Sequence, residues 1–169
     1  DVSVFMISDG LAHPGLRAAD GQIADLLTGG PGSRVAVITP ATALPAITAA
    51  LTSVDGTTQT ANVGNNNTVV LGTGGTVGVD GLALSTVAGP EVEIRGLGTL
   101  ANGLLIQAAT AVVRGLSIHG FGTVDGQAGV RVDAFTNALI ENNVLGSTAT
   151  SFTDPGAAQR NQAGVYSEG

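Results

Sequence analysis

A short apolar phrase recurs along this chain at unequal intervals, and it constrains the fold more than any other part of the sequence. In each copy, β-branched residues or leucines precede a glycine and a second apolar segment follows; copies begin at positions 70, 94, 113 and 140, the last with asparagine replacing glycine. A second phrase, glycine followed by apolar residues, begins at positions 81, 103, 129 and 164. The two interleaved series indicate a stacked unit of about 19 to 35 residues.

The residue types in these phrases favour strands over helices. The segments alternate over a few residues and are rich in Val, Ile, Leu and Thr. Glycine and asparagine stand where consecutive strands meet, as expected for corners that need positive φ. We therefore predict an all-β fold, a right-handed parallel β-helix (solenoid) whose strands pair with those of neighbouring coils. The expected side-chain ladders stack Val113 on Ile94, Ile140 on Val113, and Val130 on Leu104.

The N-terminal part of the chain differs from the repeats. Residues 2–7 alternate as a strand, and the apolar residues at 16, 19, 23, 26 and 27 have helical spacing. An open β-helix end exposes strand edges and apolar core, so we predict that residues 16–27 form an amphipathic capping helix. The predicted organisation is an N-terminal strand and capping helix in residues 1–32, then parallel β-helix coils in residues 33–169. We expect those coils to continue beyond, or to stack at, the C-terminus.

The charge balance limits the classes of partner. Thirteen acidic residues oppose six basic ones, all arginine, for a net charge of −7, and no basic patch with interleaved aromatics is present. Nucleic acid is therefore not an expected partner. The chain has no cysteine, which excludes disulfides and thiolate metal sites. Proline and hydroxyl residues interrupt the uncharged stretch at 35–54, so we predict no membrane span.

Three segments carry a resemblance to a known family. They are residues 15–20 (Gly-Leu-Arg-Ala-Ala-Asp), 43–48 (Ala-Leu-Pro-Ala-Ile-Thr) and 54–59 (Val-Asp-Gly-Thr-Thr-Gln). In this order they resemble the start of bacterial secreted or surface β-helix proteins with a "CSLREA" capping motif, within the pectin-lyase-like repeat proteins. The cap keeps Leu16, Arg17 and Ala19 but has Gly15 for serine and Ala18 for glutamate. The resemblance implies an extracellular or cell-surface location and an adhesin-like role.

The second phrase places a series of polar residues at equivalent positions. Gln107, Asp133 and Glu168 occupy the same place in successive copies, with Arg131 and Tyr166 two residues before Asp133 and Glu168. By analogy with β-helix enzymes that act on polysaccharides, Asp133 and Glu168 are candidate catalytic carboxylates. Gln107, Asp133, Arg131 and Tyr166 are candidate carbohydrate-binding residues. The alternative is a solvated outer face.

Other polar residues have ordinary structural interpretations. Arg95, Arg114 and Glu141 occupy equivalent places in the first phrase, which predicts a column of surface ion pairs. His119 precedes the corner at residues 120–122 and is interpreted as a loop residue rather than a general base.

Asparagine and acidic residues leave two further questions open. Asn142 and Asn143 are either members of an internal asparagine ladder at a corner or ordinary turn residues. We predict no cofactor; Asp154, with Asp133 and Glu168, offers at most a weak Ca²⁺ site.

The sequence predicts a structural or adhesive module of a secreted or cell-surface bacterial protein. Its predicted partners are a polysaccharide or cell-surface glycan on the outer face, and another copy stacked head to tail on the open C-terminal coil. The alternative is a carbohydrate-active enzyme, namely a polysaccharide lyase, glycoside hydrolase or epimerase with a groove on that face.

Overall fold

The computed structural model describes residues 1–16, 23–72, 75–134, 137–151 and 153–168. Among them are one α-helix, α1 (Thr57–Val63), and one 3₁₀ turn, η1 (Ala157–Gln159). No helix in these ranges has the length and apolar character needed to cross a membrane. The strands are β1 (Val2–Val4), β2 (Ala36–Ile38), β3 (Ser53–Asp55), β4 (Val70–Leu71), β5 (Thr76–Val77), β6 (Leu82–Ala83), β7 (Val87–Ala88), β8 (Val92–Leu100), β9 (Leu104–Ile106), β10 (Ala111–Arg114), β11 (Leu116–Phe121), β12 (Val130–Val132), β13 (Ala138–Glu141), β14 (Val144–Leu145) and β15 (Val165–Ser167).

Most strands belong to three parallel sheets built from distant parts of the chain. The sheet orders are β1-β3-β10-β13, β14-β11-β8-β2 and β15-β12-β9. Two antiparallel pairs, β4 with β7 and β5 with β6, lie in the segment between β3 and β8. Parallel neighbours cannot be joined by a tight hairpin, so each pairing spans a long connection.

The three parallel sheets share one aliphatic core. Val113 is fully buried on β10, Ile118 on β11 and Val130 on β12, and all three belong to the same packed cluster. Two predicted ladders are confirmed, because Val113 pairs with Ile140 and Val130 pairs with Leu104.

The third predicted ladder is wrong. Val113 pairs with Val54 on its other side, whereas Ile94 pairs with Ile118 in a different sheet. The phrases beginning at 94 and 113 therefore do not lie directly above one another.

The predicted right-handed parallel β-helix with an amphipathic capping helix is wrong. The described strands form five separate short sheets, each with two edge strands, and these sheets do not close into one continuous coil. The unequal spacing of the sequence repeats accounts for the difference. The segment between β3 and β8 is longer than a connection between two parallel strands needs. Its additional residues form α1 and the two antiparallel pairs.

At the N-terminal end the core is covered by residues 5–16 and 23–27, which are irregular in structure. Leu16 and residues 23–27 are not helical, and residues 17–22, which contain most of the predicted capping motif, lie outside the described ranges. Leu27 is nevertheless buried in the core, and Phe5 and Ile7 pack against it. The side chain of Gln59 on α1 fixes this segment through the backbone of Ile7.

The recurring glycines have two different physical causes. Gly115 has φ +68°, a corner conformation that disfavours side chains. Gly96 has no positive φ, but a Cβ there would lie 2.4 Å from the carbonyl oxygen of Gly120 and 2.5 Å from the ring of Phe121. The glycine at 96 is therefore required by close packing between strands.

Asn143 is a corner residue that links two strands. Its Oδ1 accepts a hydrogen bond from the amide of Leu116 at 3.0 Å, and its Nδ2 donates to the carbonyl of Val113 at 2.9 Å. This arrangement matches the corner interpretation for Asn143. Asn142 beside it has φ +51°, a turn conformation in which asparagine is tolerated.

Candidate functional site

The outer face of the β9-β12-β15 sheet carries all the predicted catalytic and carbohydrate-binding residues. Arg131 and Tyr166 are register partners on β12 and β15. Gln107, Asp133 and Glu168 each follow the last residue of their strand at equivalent positions. We call these five residues the polar row.

Arg131 is the centre of the polar row because its guanidinium contacts most of the other members. Its Nε donates to Asp133 Oδ1 at 3.1 Å, and its Nη2 forms an ion pair with the Glu168 carboxylate. Its Nη1 donates to the carbonyl of Gly126 at 3.0 Å, and its Cζ lies 5.8 Å from the centre of the Tyr166 ring. A guanidinium held in this way stacks on the aromatic ring in one orientation.

Asp133 has a second partner within the row. Gln107 Nε2 donates to Asp133 Oδ2 at 2.7 Å. Hydrogen bonding from Gln107 and then from Arg131 lowers the pKa of the Asp133 carboxyl below its ordinary value. Asp133 is therefore ionised at neutral pH, and its carboxylate is held between an amide and a guanidinium.

The geometry does not suit Asp133 to act as the general acid of a glycoside hydrolase. That chemistry needs one carboxyl that stays protonated as a general acid, with a raised pKa. Asp133 has a lowered pKa, and Arg131 bridges it to Glu168. Asp133 can accept hydrogen bonds from hydroxyl groups but is not poised for proton donation.

Asp154, the third carboxylate of the predicted Ca²⁺ site, pairs with an arginine outside the polar row. Asp154 forms an ion pair with Arg160, which lowers the pKa of Asp154 to about 2. Within the described residues, no three His, Asp or Glu side chains are grouped in a way that could hold a metal ion.

A second arginine flanked by two carboxylates lies on the β1-β3-β10-β13 sheet. Arg114 Nη2 donates to Asp55 Oδ2 at 2.7 Å, and its Nη1 lies 3.9 Å from Glu141 Oε1. The predicted pairing of Arg114 with Glu141 is confirmed. The predicted place of Arg95 in this column is wrong, because Arg95 lies in another sheet opposite His119.

Sequence analysis missed a buried ionisable pair on the outer face of the β14-β11-β8-β2 sheet. His119 lies within strand β11, not in a loop, and its Nε2 is 3.0 Å from Glu93 Oε1. Both residues are almost fully buried, at 1% and 4% exposure. Residues 147–149 and 157–162 cover them from outside, as shown by hydrogen bonds from Ala149 N to Glu93 and between His119 and Gln159 O. The long insertion after β14 was the sequence signal for such a cover.

A cavity of about 300 Å³ lies between α1 and the segment that precedes β8. Glu91 lines it, and burial raises the pKa of this carboxyl. The Glu91 carboxylate accepts hydrogen bonds from the amides of Asn66 and Asn67 at 2.9 to 3.2 Å. These bonds show that Glu91 fastens the loop at residues 66–67 to the sheet.

Comparisons of this chain with protein-family models, with curated proteins and with solved structures give no match. The resemblance of residues 43–59 to the CSLREA-capped proteins therefore stays a prediction.

Proposed function

We propose that this chain is a structural or adhesive module of a secreted or cell-surface protein, and that the polar row binds neutral glycans. The observation that carries the proposal is the arrangement around Arg131. One guanidinium is bonded to Asp133 and Glu168 and stacked on Tyr166.

Rigid planar side chains beside an aromatic ring suit sugar recognition. Tyr166 is 36% exposed, so part of its ring is free to contact the C–H face of a sugar. Gln107 and Asp133 already hold each other at 2.7 Å and need little ordering when a ligand arrives. Side chains fixed on strands before binding lose less conformational entropy on complex formation.

The charge of the row favours a neutral ligand over an acidic one. All three guanidinium nitrogens of Arg131 have acceptors within the protein, and two of these acceptors are carboxylates. The row therefore has more negative than positive groups, within a chain of net charge −7. A polyuronate would meet electrostatic repulsion there, whereas sugar hydroxyls can both donate to the carboxylates and accept from Gln107.

The alternative function, a polysaccharide lyase, hydrolase or epimerase, has less support. Asp133 is ionised because its pKa is lowered, and Arg131 is occupied by Asp133 and Glu168. A general acid needs a proton at working pH, and a general base needs an unoccupied lone pair directed at substrate.

The test is a binding titration with three soluble neutral polysaccharides (mannan, xylan and a β-glucan) and with polygalacturonate. We expect at least one neutral polymer to bind and polygalacturonate not to bind. Tyr166→Ala should weaken binding by about tenfold or more, the order of one aromatic contact. Arg114→Ala is the matched control, because Arg114 is also flanked by two carboxylates but lies outside the row.

Two results would overturn the glycan proposal. One is absence of binding to all three neutral polymers at saturating concentration. The other is an equal loss of binding in Tyr166→Ala and Arg114→Ala. Release of reducing ends or unsaturated products, abolished by Asp133→Asn, would instead favour the enzyme.

Self-stacking is a second candidate, favoured by the positions of β13, β14 and β15 at the ends of their sheets among the described strands. Each of these strands ends its sheet, and Leu139 on β13 and Val165 on β15 are exposed. Unpaired parallel edges are templates for another chain. Sedimentation velocity of the wild-type protein should then show assembly. The double variant Leu139→Lys with Val165→Lys should disrupt this assembly, because lysines on a strand edge oppose pairing. A wild-type protein that is monomeric at all concentrations would contradict this candidate.

A further inference from the structure

The buried pair of His119 and Glu93 lies beneath two cover segments, residues 147–149 and 157–162. Ser117 Oγ donates to Ser147 O at 2.7 Å, and the amide of Ala149 donates to Glu93 Oε2 at 2.9 Å. Polar side chains of β8 and β11 therefore hold the first segment.

The second segment is held through its own backbone and Asn161. The carbonyl of Gln159 lies 3.2 Å from His119 Nδ1. Asn161 Nδ2 donates to the carbonyl of Ile118 at 2.8 Å, and Asn161 Oδ1 accepts from the amide of Phe121 at 3.1 Å. The imidazole of His119 thus connects the sheet to this segment.

Both ring nitrogens of His119 face groups that accept protons. A backbone carbonyl has no hydrogen to donate, so Nδ1 must carry the proton in the contact with Gln159. Glu93 Oε1 is 3.0 Å from Nε2 without hydrogen-bond alignment, so a second ring proton makes this contact an ion pair. A neutral imidazole has one N–H and can satisfy only one of the two acceptors.

We propose that the two cover segments form a proton-dependent cover over the β14-β11-β8-β2 sheet, closed when His119 carries two ring protons and released when it loses one. Loss of the proton leaves a buried carboxylate facing a lone pair, or a buried carbonyl without a donor. Either arrangement costs free energy that opening recovers, because water then reaches the unpaired group.

The neighbouring groups keep the Glu93 carboxylate ionised. Burial raises the pKa of Glu93, but His119 and the amide of Ala149 lower it by more, so Glu93 stays ionised at neutral pH. Arg95, beside Glu93 on β8, also favours the carboxylate. The charged and titratable residues of β8, β11 and the two cover segments are Glu93, Arg95, His119 and Arg160, the last exposed and paired with Asp154.

Release of the cover would expose a second set of polar side chains, separate from the polar row, that is buried in the closed state. Glu93 and Ser117 are register partners, and His119 follows two residues later on β11. All three are less than 5% exposed in the closed state. A rise in pH would therefore present a new polar surface without unfolding the core beneath it.

The amide of Ala149 donates to Glu93, and the amide of Gln162 donates to the carbonyl of Phe121 at 2.8 Å, so each amide reports on one cover segment. The test is hydrogen exchange of these two amides from about pH 5 to pH 9, expressed as protection factors to remove the intrinsic pH dependence. In the wild-type protein we expect protection to fall by about tenfold or more as pH rises. His119→Gln should show no such dependence. His13→Gln, which changes the other histidine of the chain, should keep it.

A second measurement holds even if His119→Gln does not fold. The ¹⁵N shifts of the His119 ring in the wild-type protein should report two protonated nitrogens while the cover is protected. The proposal is overturned if that ring has one proton while the cover is closed, or if wild-type protection does not change with pH. Retention of the wild-type pH dependence in His119→Gln would overturn it equally.

Discussion

The side-chain amide of Gln59 makes both backbone hydrogen bonds of Ile7. The amide of Ile7 donates to Gln59 Oε1 at 2.7 Å, and Gln59 Nε2 donates to the Ile7 carbonyl at 2.7 Å. Gln59 is fully buried on α1, so its side chain replaces a neighbouring strand for the segment after β1. The helix thereby fixes the irregular N-terminal covering against the core.

Gln59→Leu should destabilise the protein strongly because it leaves the partly buried N–H and carbonyl of Ile7 without their side-chain partner. We expect the free energy of unfolding to fall by about 2 to 4 kcal/mol, measured by urea denaturation. The control is Gln107→Leu, a change to an exposed glutamine, which should alter it by less than about 1 kcal/mol. Equal losses in the two variants would mean that the Gln59 contacts do not stabilise the fold.

Gly96→Ala should destabilise through steric overlap. The added Cβ would lie 2.4 Å from the Gly120 carbonyl oxygen, and overpacking of this kind costs about 1 to 3 kcal/mol. At Gly164 the nearest atom, Leu145 Cβ, is 3.5 Å from the added Cβ, so Gly164→Ala should be tolerated. Thermal unfolding of both variants checks the difference, and a Gly96→Ala protein as stable as wild type would refute the packing argument.

Asn143→Ala should weaken the corner between β10 and β11. It removes the acceptor of the Leu116 amide and the donor to the Val113 carbonyl, and we expect a loss of about 1 to 3 kcal/mol in unfolding free energy. Asn137→Ala serves as the comparison, since Asn137 is exposed and accepts a hydrogen bond from Ala111 through its backbone. If both substitutions have the same effect in urea, the side-chain bonds of Asn143 contribute nothing specific.

Acid should destabilise the fold partly through Asp55. Hydrogen bonding from Arg114 lowers the pKa of Asp55 below its ordinary value of 3.8. On acidification the unfolded chain therefore binds the proton first, and the stability that is complete above the ordinary pKa is lost as pH falls through the folded value.

The corresponding experiment follows unfolding free energy between about pH 5 and pH 2.5. Asp55→Asn should be less stable than wild type at pH 5 and should lose less stability on acidification. Asp80→Asn changes an exposed carboxylate on a turn and should keep the wild-type slope. An Asp55→Asn protein with the full wild-type slope would contradict the assignment.

The polar row was predictable because it depends on register. Glycine and alternating apolar residues mark where β9, β12 and β15 begin, so equivalent positions in the sequence become neighbours in the sheet. The ladder of Val113 with Ile140 was predicted for the same reason. The sequence alone showed strands and their partners where a repeated phrase marks equivalent positions, even though the intervals between the phrases are unequal.

The remaining features depend on where connecting segments fold back. The stretch at 57–63 has no strong apolar periodicity, and its helix is held by contacts such as Gln59 with Ile7. The sequence pattern places His119 beside a corner, and only the structure shows that residues 157–162 lie over it. Long connections of variable length carry no register signal, so neither the cover nor the N-terminal segment followed from the sequence pattern.

The pairing of Val54 with Val113 also has a consequence for how the chain reaches its native state. β3 and β10 are adjacent in the sheet but separated by the whole of α1 and β4 to β9. During synthesis, more than fifty further residues must be added after Val54 before its partner Val113 is present. Such non-local strand pairing predicts slow folding. Apolar strand edges of the incomplete chain would be exposed to association during translation.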